Sequence, residues 1–254
     1  MSTFTNKLDL IEPAILNDQV GIKAWFTQKN ADKINETASI PGLDLGFNTR
    51  TEREQVVGNR DLLFKMLSIE PDWTAFAEQV HGTRVQKITS GGIYPETDGL
   101  VTRVPGLALG IQVADCAAVL LADPVMKIVT AIHAGWRGAT GNILINGLEI
   151  MKEEGSTPSD VCAWVSPAIC QKHFEVGEEV AEQFPDDLVD RTSYQKPHVD
   201  LKGFIRQQLI GEGLDNDNIQ VADGCTVGNA NSFYSYRREN DNAGRMMAII
   251  QIAD

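Results

Sequence analysis

The stretch 117-AAVLLADPVMKIVTAI-132 contains two apolar runs, AAVLLA and KIVTAI, on either side of an Asp123–Pro124 turn. Both runs are short and built from small, branched or β-branched residues, so they read as strands rather than helices. A turn this close between two strands predicts an antiparallel pair. The same texture recurs at 107–113 (LALGIQV), 161–165 (VCAWV) and 246–252 (MMAIIQI), which predicts a buried sheet.

Helical spacing lies between these runs. Residues 141–153 carry Ile143, Leu144, Gly147, Leu148 and Met151, with Thr140 as the expected N-cap and Gly155 as the stop. Residues 201–210 repeat the pattern with Leu201, Phe204, Ile205 and Leu209 behind the capping residue Asp200. A third helix is expected over 54–67, presenting Val57, Leu62, Leu63 and Met66. Strands interleaved with helices, one pair of them antiparallel, predict an α+β (mixed α/β) fold of mixed β-sheets flanked by helices, not a purely parallel doubly wound sheet. With 254 residues and 43% hydrophobic content the chain can bury a sizeable core. No repeat, low-complexity tract or charged linker divides it, so a single domain over 1–254 is expected.

Composition limits the partners. Against 22 basic residues stand 35 acidic ones, a formal net charge of −13, which opposes binding to phosphate backbones or anionic membranes. A small-molecule substrate is the expected partner, with no nucleic acid and no membrane. The segment MSTFTNKLDLIEP has no basic region followed by an apolar core, and no window approaches the roughly 20 apolar residues that span a bilayer. Four cysteines without CxxC pairing (Cys116, Cys162, Cys170 and Cys225) suggest reduced thiols and a cytoplasmic location.

Two of the four histidines sit where a strand or loop meets glycine, in EQVHGTRV (His81) and AIHAGWRG (His133), and a cysteine sits at a similar junction in QVADCAAV (Cys116). Two imidazoles and a thiolate suit Zn²⁺, and three protein ligands leave a coordination position for water or substrate. The separations, 116 − 81 = 35 and 133 − 116 = 17, match no compact zinc signature, so the fold would have to gather them. Alternatively, without metal, Cys116 is a thiolate nucleophile activated by His133 or His81. Beside His133, Gly135 and Gly138 permit unusual backbone angles and close approach. Arg137 adds a fixed positive fork, and a helix start near Gly141 adds unpaired N–H groups, so Arg137 and Gly138 outline an anion or phosphate pocket. A plain turn, with Trp136 in the core and Arg137 paired at the surface, is the competing reading. In ETDGLVT, Asp98 is a general base, a partner that orients a histidine, or a turn residue; Asp115 is open to the same readings. The segment 232–246, SFYSYRRENDNAGRM, offers aromatic and arginine side chains for a heterocyclic base and an anion, or an ion-paired surface turn.

Taken in order, EQVHGTRV, TDGLVT, VADCAAVLLADP, IHAGWRG, SPAICQKHFEVG and YSYRREN followed by AGRM resemble the YfiH-like family, from about residue 20 to 252. That family has been labelled laccase-domain or polyphenol oxidase and includes purine nucleoside phosphorylases and the peptidoglycan editing factor. The resemblance implies a single domain of mixed sheets and a zinc ion held by His81, Cys116 and His133, with copper as the alternative ion. It also implies phosphorolysis of adenosine, inosine and methylthioadenosine together with adenosine deamination, in which Cys116, His133 and Asp98 would be the catalytic groups. The alternative is the editing branch, hydrolysing UDP-MurNAc-L-Ser with Cys116 or zinc-bound water. A third reading is a non-catalytic zinc-binding interaction module with a fourth ligand from Cys225 or Cys170. The family's GPxIG is altered here to Ser166 and Cys170 at its outer glycines, followed by Gln171, which sets Cys170 and His173 outside the family pattern.

Overall fold

The computed structural model describes residues 8–253. In it the Asp123–Pro124 turn joins strands Ala117–Asp123 and Ile128–Ala134 as an antiparallel hairpin, with Leu120 opposite Ala131. The Asp123 carboxylate accepts from the amides of Val125 and Met126 at 2.9 and 2.8 Å, the local bonding that makes aspartate a turn former.

This hairpin lies in the middle of one six-stranded sheet, flanked by Cys162–Val165 on one side and Gly99–Thr102 on the other. A second six-stranded sheet packs against it, with Met246–Ile252 between Ile22–Thr27 and Ala108–Val113. Both sheets are mixed. Cys162–Val165 runs parallel to Ile219–Val221 and Thr74–Ala77 runs parallel to Ala108–Val113, while the central pairs are antiparallel.

The pleat sorts each strand between two cores. Ala118, Leu120 and Ala122 meet the facing sheet, whereas Val119 and Leu121 join Leu144, Leu148, Ile205 and Leu209 under the helices Ile143–Glu153 and Leu201–Gly211. On the other sheet Met246, Ala248 and Ile250 face inward, and Met247 and Ile249 meet Leu63 and Phe64 of helix Arg53–Leu67. The layers therefore run helix, sheet, sheet, helices. Strands covered on both faces need no polar side, which is why these runs are continuously apolar.

Two expectations need correction, and one helix was not expected. The helix expected over 141–153 forms as Ile143–Glu153, and a short helix that was not expected, Trp136–Thr140, precedes it across Asn142 at φ +71. Thr140 does not cap the second helix, because its hydroxyl donates back to the Trp136 carbonyl at 2.9 Å. The stop is as expected: Gly155 takes φ +100, and the Ser156 amide donates to the Met151 carbonyl at 3.0 Å. On helix Arg53–Leu67 the face differs, since Val57, Leu62 and Met66 are exposed while Val56, Asn59, Arg60, Leu63 and Phe64 are buried. The inward stripe includes two polar residues because Asn59 and Arg60 donate to the carbonyls of Asp44 and Leu45. Asp200 caps its helix as expected, accepting from the Gly203 amide at 3.0 Å. Among the described residues no helix is long and apolar enough to cross a membrane.

Candidate functional site

Strand register brings the chemistry together. Ala117 pairs with Ala134, so Cys116 and Gly135 meet at the open end of the hairpin, and His133 lies two residues inside, opposite Ala118. On the other side of His133, Gly99 pairs with Ile132, which sets Asp98 opposite His133; the His133 amide donates to the Asp98 carbonyl at 2.7 Å. The Asp98 side chain then gathers the third segment. Its carboxylate accepts from the amides of Val80, His81 and Gly82 at 3.1, 3.0 and 2.7 Å. The ligand atoms of His81, Cys116 and His133 thus come within 4.8 Å of one another, and the two imidazoles meet edge to face at 4.8 Å. Residues 35 and 17 apart in sequence converge as expected.

The same carboxylate accepts from His133 Nδ1 at 2.8 Å, which leaves Nε2 free for a cation or the Cys116 thiol. Asp98 is wholly buried and does not line the cleft described below. Its place is to orient His133 and hold the His81 loop, which corrects the expectation of a general base in contact with substrate. Asp115 is likewise a scaffold. At φ +89 it turns the chain into Cys116, one carboxylate oxygen accepting from the Thr226 hydroxyl and the other from the Arg237 amide, both at 2.6 Å. His81 also sits in the left-handed region, at φ +60, so both turns that bear ligands are strained and held by hydrogen bonds from elsewhere.

The glycines of AGWRG act by size. Gly135 has an ordinary φ of −73, but a Cβ there would stand 2.9 Å from Cys116 Sγ and 3.4 Å from His81 Cδ2. Gly138 is buried with its Cα against the Gly82 carbonyl, where a Cβ would come within 3.0 Å, and does not line the cleft. The expected role of Gly138 beside an anion is therefore replaced by close packing of the helix start on the His81 loop.

Burial alone would push the Cys116 thiol up, but the charge of His133 and the hydrogen-bonding contacts of His133 and His81 reverse this and bring it down to about 6. For His133 burial favours loss of the proton, yet Cys116 and Asp98 hold the proton to about 9. Asp98 is held below the usual carboxylate range: burial opposes this, and His133 with the Gly82 and Val80 amides outweighs it. Without a metal the site is thus a thiolate–imidazolium pair near neutral pH. With one, the soft thiolate and two imidazoles are the donor set of a zinc-class ion, and the space a Gly135 Cβ would fill is left to it.

These three residues line a cleft of about 720 Å³ at the ends of strands from both sheets, beside the helix start at Trp136. Arg137 is exposed, stacks on Trp136 at 4.3 Å and makes no hydrogen bond through its guanidinium among the described residues, so its fork is uncommitted. Trp136 is half-buried on the helix-side core rather than enclosed in it. From SFYSYRREN only Tyr236 and Arg237 reach the cleft; Phe233 and Tyr234 are core, and Arg238 is spent on the carbonyls of Thr226, Val227 and Phe233. The sequence reading missed Arg60, Phe47, Phe76 and the exposed carboxylate of Glu78, all on the cleft wall. Arg60 stacks on Phe47 and Phe76 at 4.2 and 4.7 Å, a clamp that only the true inward face of its helix reveals. Cys170 and Cys225, considered as a fourth ligand, gather instead with His173 in a separate group.

Residues 23–253 match the sequence profile described as multi-copper polyphenol oxidoreductase laccase. The chain is 37% identical over 216 residues to a purine nucleoside phosphorylase of Deinococcus radiodurans, covering 83% of each chain. It is 31% identical over 242 residues to adenosine deaminase RL5 from an unknown prokaryotic organism, covering 89% of this chain and 92% of that protein. In fold it is similar to the crystal structure of the Bacillus licheniformis hypothetical protein YfiH, with a TM-score of 0.88, 28% identity and 97% of each chain covered.

Proposed function

The chain belongs to the YfiH-like, laccase-profile family, and on that premise we propose that it is a zinc-dependent purine nucleoside phosphorylase acting on adenosine, inosine and methylthioadenosine, with adenosine deamination as a second activity. The observation that carries this reading is the opening of the His81–Cys116–His133 cluster onto a cleft that combines an uncommitted Arg137 with aromatic walls. A relative named for phosphorolysis and another named for deamination support a shared purine-nucleoside cleft.

When bound by His81, Cys116 and His133, zinc supplies Lewis acidity toward negative charge developing on the substrate. The chain's own groups do the rest. Arg137 holds phosphate in its planar fork, so that a phosphate oxygen forms the bond to ribose C1′ as the bond to purine N9 breaks and the purine leaves with the electron pair. Phe47, Phe76 and Tyr236 offer faces on which the purine stacks. Asp98 fixes the His133 ring. Glu78 takes the proton-carrying place in deamination that Asp98 cannot reach.

Oxidation by a relay of copper centres is set aside, because such relays need several histidine-rich centres and this chain has four histidines in all. A second reading rests on the Cys116–His133 ion pair, which suits attack of Cys116 on an amide and so supports the editing of UDP-MurNAc-L-Ser.

Product analysis separates these readings. Zinc-loaded protein with adenosine and phosphate is expected to release adenine and ribose 1-phosphate, and adenosine without phosphate to yield inosine. Release of L-serine from UDP-MurNAc-L-Ser with no nucleoside turnover would replace the first reading by the second. Glu78→Gln is expected to lower inosine formation at least tenfold while leaving phosphorolysis within about threefold, the range of a single general acid–base group being larger than the first figure.

A further inference from the structure

We infer that Cys170, His173 and Cys225 form a second metal site, separate from the one on the cleft and suited to a thiophilic cation of the zinc class. Cys170 and His173 bracket a single 3₁₀ turn, Gln171–His173, in a compact Cys-x-x-His spacing. Cys225 reaches them from the loop after strand Ile219–Val221, placed by its bridge to Ala168. The ligand atoms of all three lie within 4.8 Å of one another.

Two features point to a cation. His173 Nδ1 stands 3.3 Å from Cys170 Sγ and 3.3 Å from Cys225 Sγ. Around a tetrahedral zinc ion, with Zn–S of about 2.3 Å and Zn–N of about 2.0–2.1 Å, the nitrogen–sulfur edge is about 3.5 Å, so the two contacts have the size of coordination edges. One ring nitrogen holds at most one proton and cannot satisfy two sulfurs by ordinary hydrogen bonds, whereas one cation satisfies all three donors. The Cys170 amide also donates to Cys225 Sγ at 3.3 Å, the N–H···S support that thiolate ligands receive. All three side chains are half-buried, which leaves a path for the ion and room for a water as fourth ligand.

The site's place in the fold gives it a structural use. Thr226, next to Cys225, donates to the Asp115 carboxylate, and the carbonyls of His173 and Glu175 accept from the Arg237 guanidinium. An ion here ties the 170–173 turn to the 225–228 loop, and through them the turn that carries Cys116 and the arginine on the cleft wall.

Metal counting on the full chain tests this independently of the nucleoside chemistry. The double variant His81→Ala, Cys116→Ala, purified reduced and dialysed against zinc and then buffer, is expected to keep one zinc per chain. Adding Cys225→Ser or, as a milder change, His173→Gln is expected to remove it. With cobalt(II) in place of zinc, the His81→Ala, Cys116→Ala protein is expected to show a thiolate-to-cobalt charge-transfer band that disappears with Cys225→Ser, while circular dichroism confirms that each variant is folded. Absence of bound metal in the folded double variant would overturn the inference, as would zinc that persists after Cys225→Ser. A mass two daltons low, with Cys170 and Cys225 joined as a disulfide in protein kept at a cytosolic glutathione ratio, would overturn it as well.

Discussion

Gly135 is a glycine because of the atoms it faces: Cys116 Sγ lies 2.9 Å, and His81 Cδ2 3.4 Å, from where its Cβ would be. The backbone at Gly135 is ordinary, so alanine would fold there and push the ligands apart. Gly135→Ala is expected to keep the folded state while lowering kcat/KM by about 10²-fold, as displacements near 1 Å at a reacting centre do; circular dichroism with steady-state kinetics reads both. Asp98 makes a different contribution, turning the His133 ring by its bond to Nδ1. Asp98→Asn is expected to weaken zinc at the cleft site 10–100-fold in a competition titration with a chelator, since partners of ligating histidines typically matter by about that factor. Individual residues were legible where motif and chemistry agreed, as at His81, Cys116 and His133. Asp98 was open to three readings because its carboxylate joins segments whose neighbourhood only strand register reveals, and Asp115 was open to the same three for the same reason.

At the scale of elements, the hairpin from Ala117 to Ala134 positions the site by placing Cys116 and His133 at one end of adjacent strands. Its stiffness comes from burial on both faces. Leu120 is fully buried between the sheets, and Leu120→Ala is expected to cost about 2–5 kcal/mol in urea unfolding, the range for a leucine cut back in a packed core. The hairpin was readable from its two apolar runs and the Asp123–Pro124 turn. The helix face of residues 53–67 was not, because the periodicity of Val57, Leu62 and Met66 ignores that a buried arginine and asparagine can be satisfied by carbonyls of the loop at Asp44 and Leu45. That misreading concealed Arg60 and its aromatic clamp. The short helix Trp136–Thr140 was hidden for a different reason: the glycines at 135, 138 and 141 read as a plain turn, and the close packing of Gly138 and Gly141 on Gly82 and Thr83 is visible only in the fold.

For the whole molecule, a net charge of −13 coexists with a cleft whose wall carries Arg60, Arg137, Arg237 and Arg245. Three of the four guanidiniums are already tied to carbonyls: Arg60 to Leu45, Arg237 to His173 and Glu175, Arg245 to Ala243 and Gly244. Arg137 is the one of the four whose guanidinium makes no such bond among the described residues, and the proposed phosphate site rests on it. Arg137→Ala is therefore expected to raise KM for phosphate by tenfold or more, as loss of a charge-assisted bond worth about 1.5–3 kcal/mol requires, with KM for adenosine changed little. Overall acidity led to the expectation of no nucleic-acid or membrane partner but could not foretell a local basic wall, which exists only once helix and loop residues far apart in the chain meet at the cleft. The central claim is that this meeting places one ion among His81, Cys116 and His133. Zinc-edge X-ray absorption on the Cys225→Ser protein tests it most directly. One sulfur at about 2.3 Å and two imidazole nitrogens at about 2.0–2.1 Å are expected, and a shell without sulfur, or one unchanged by Cys116→Ala, would contradict the account.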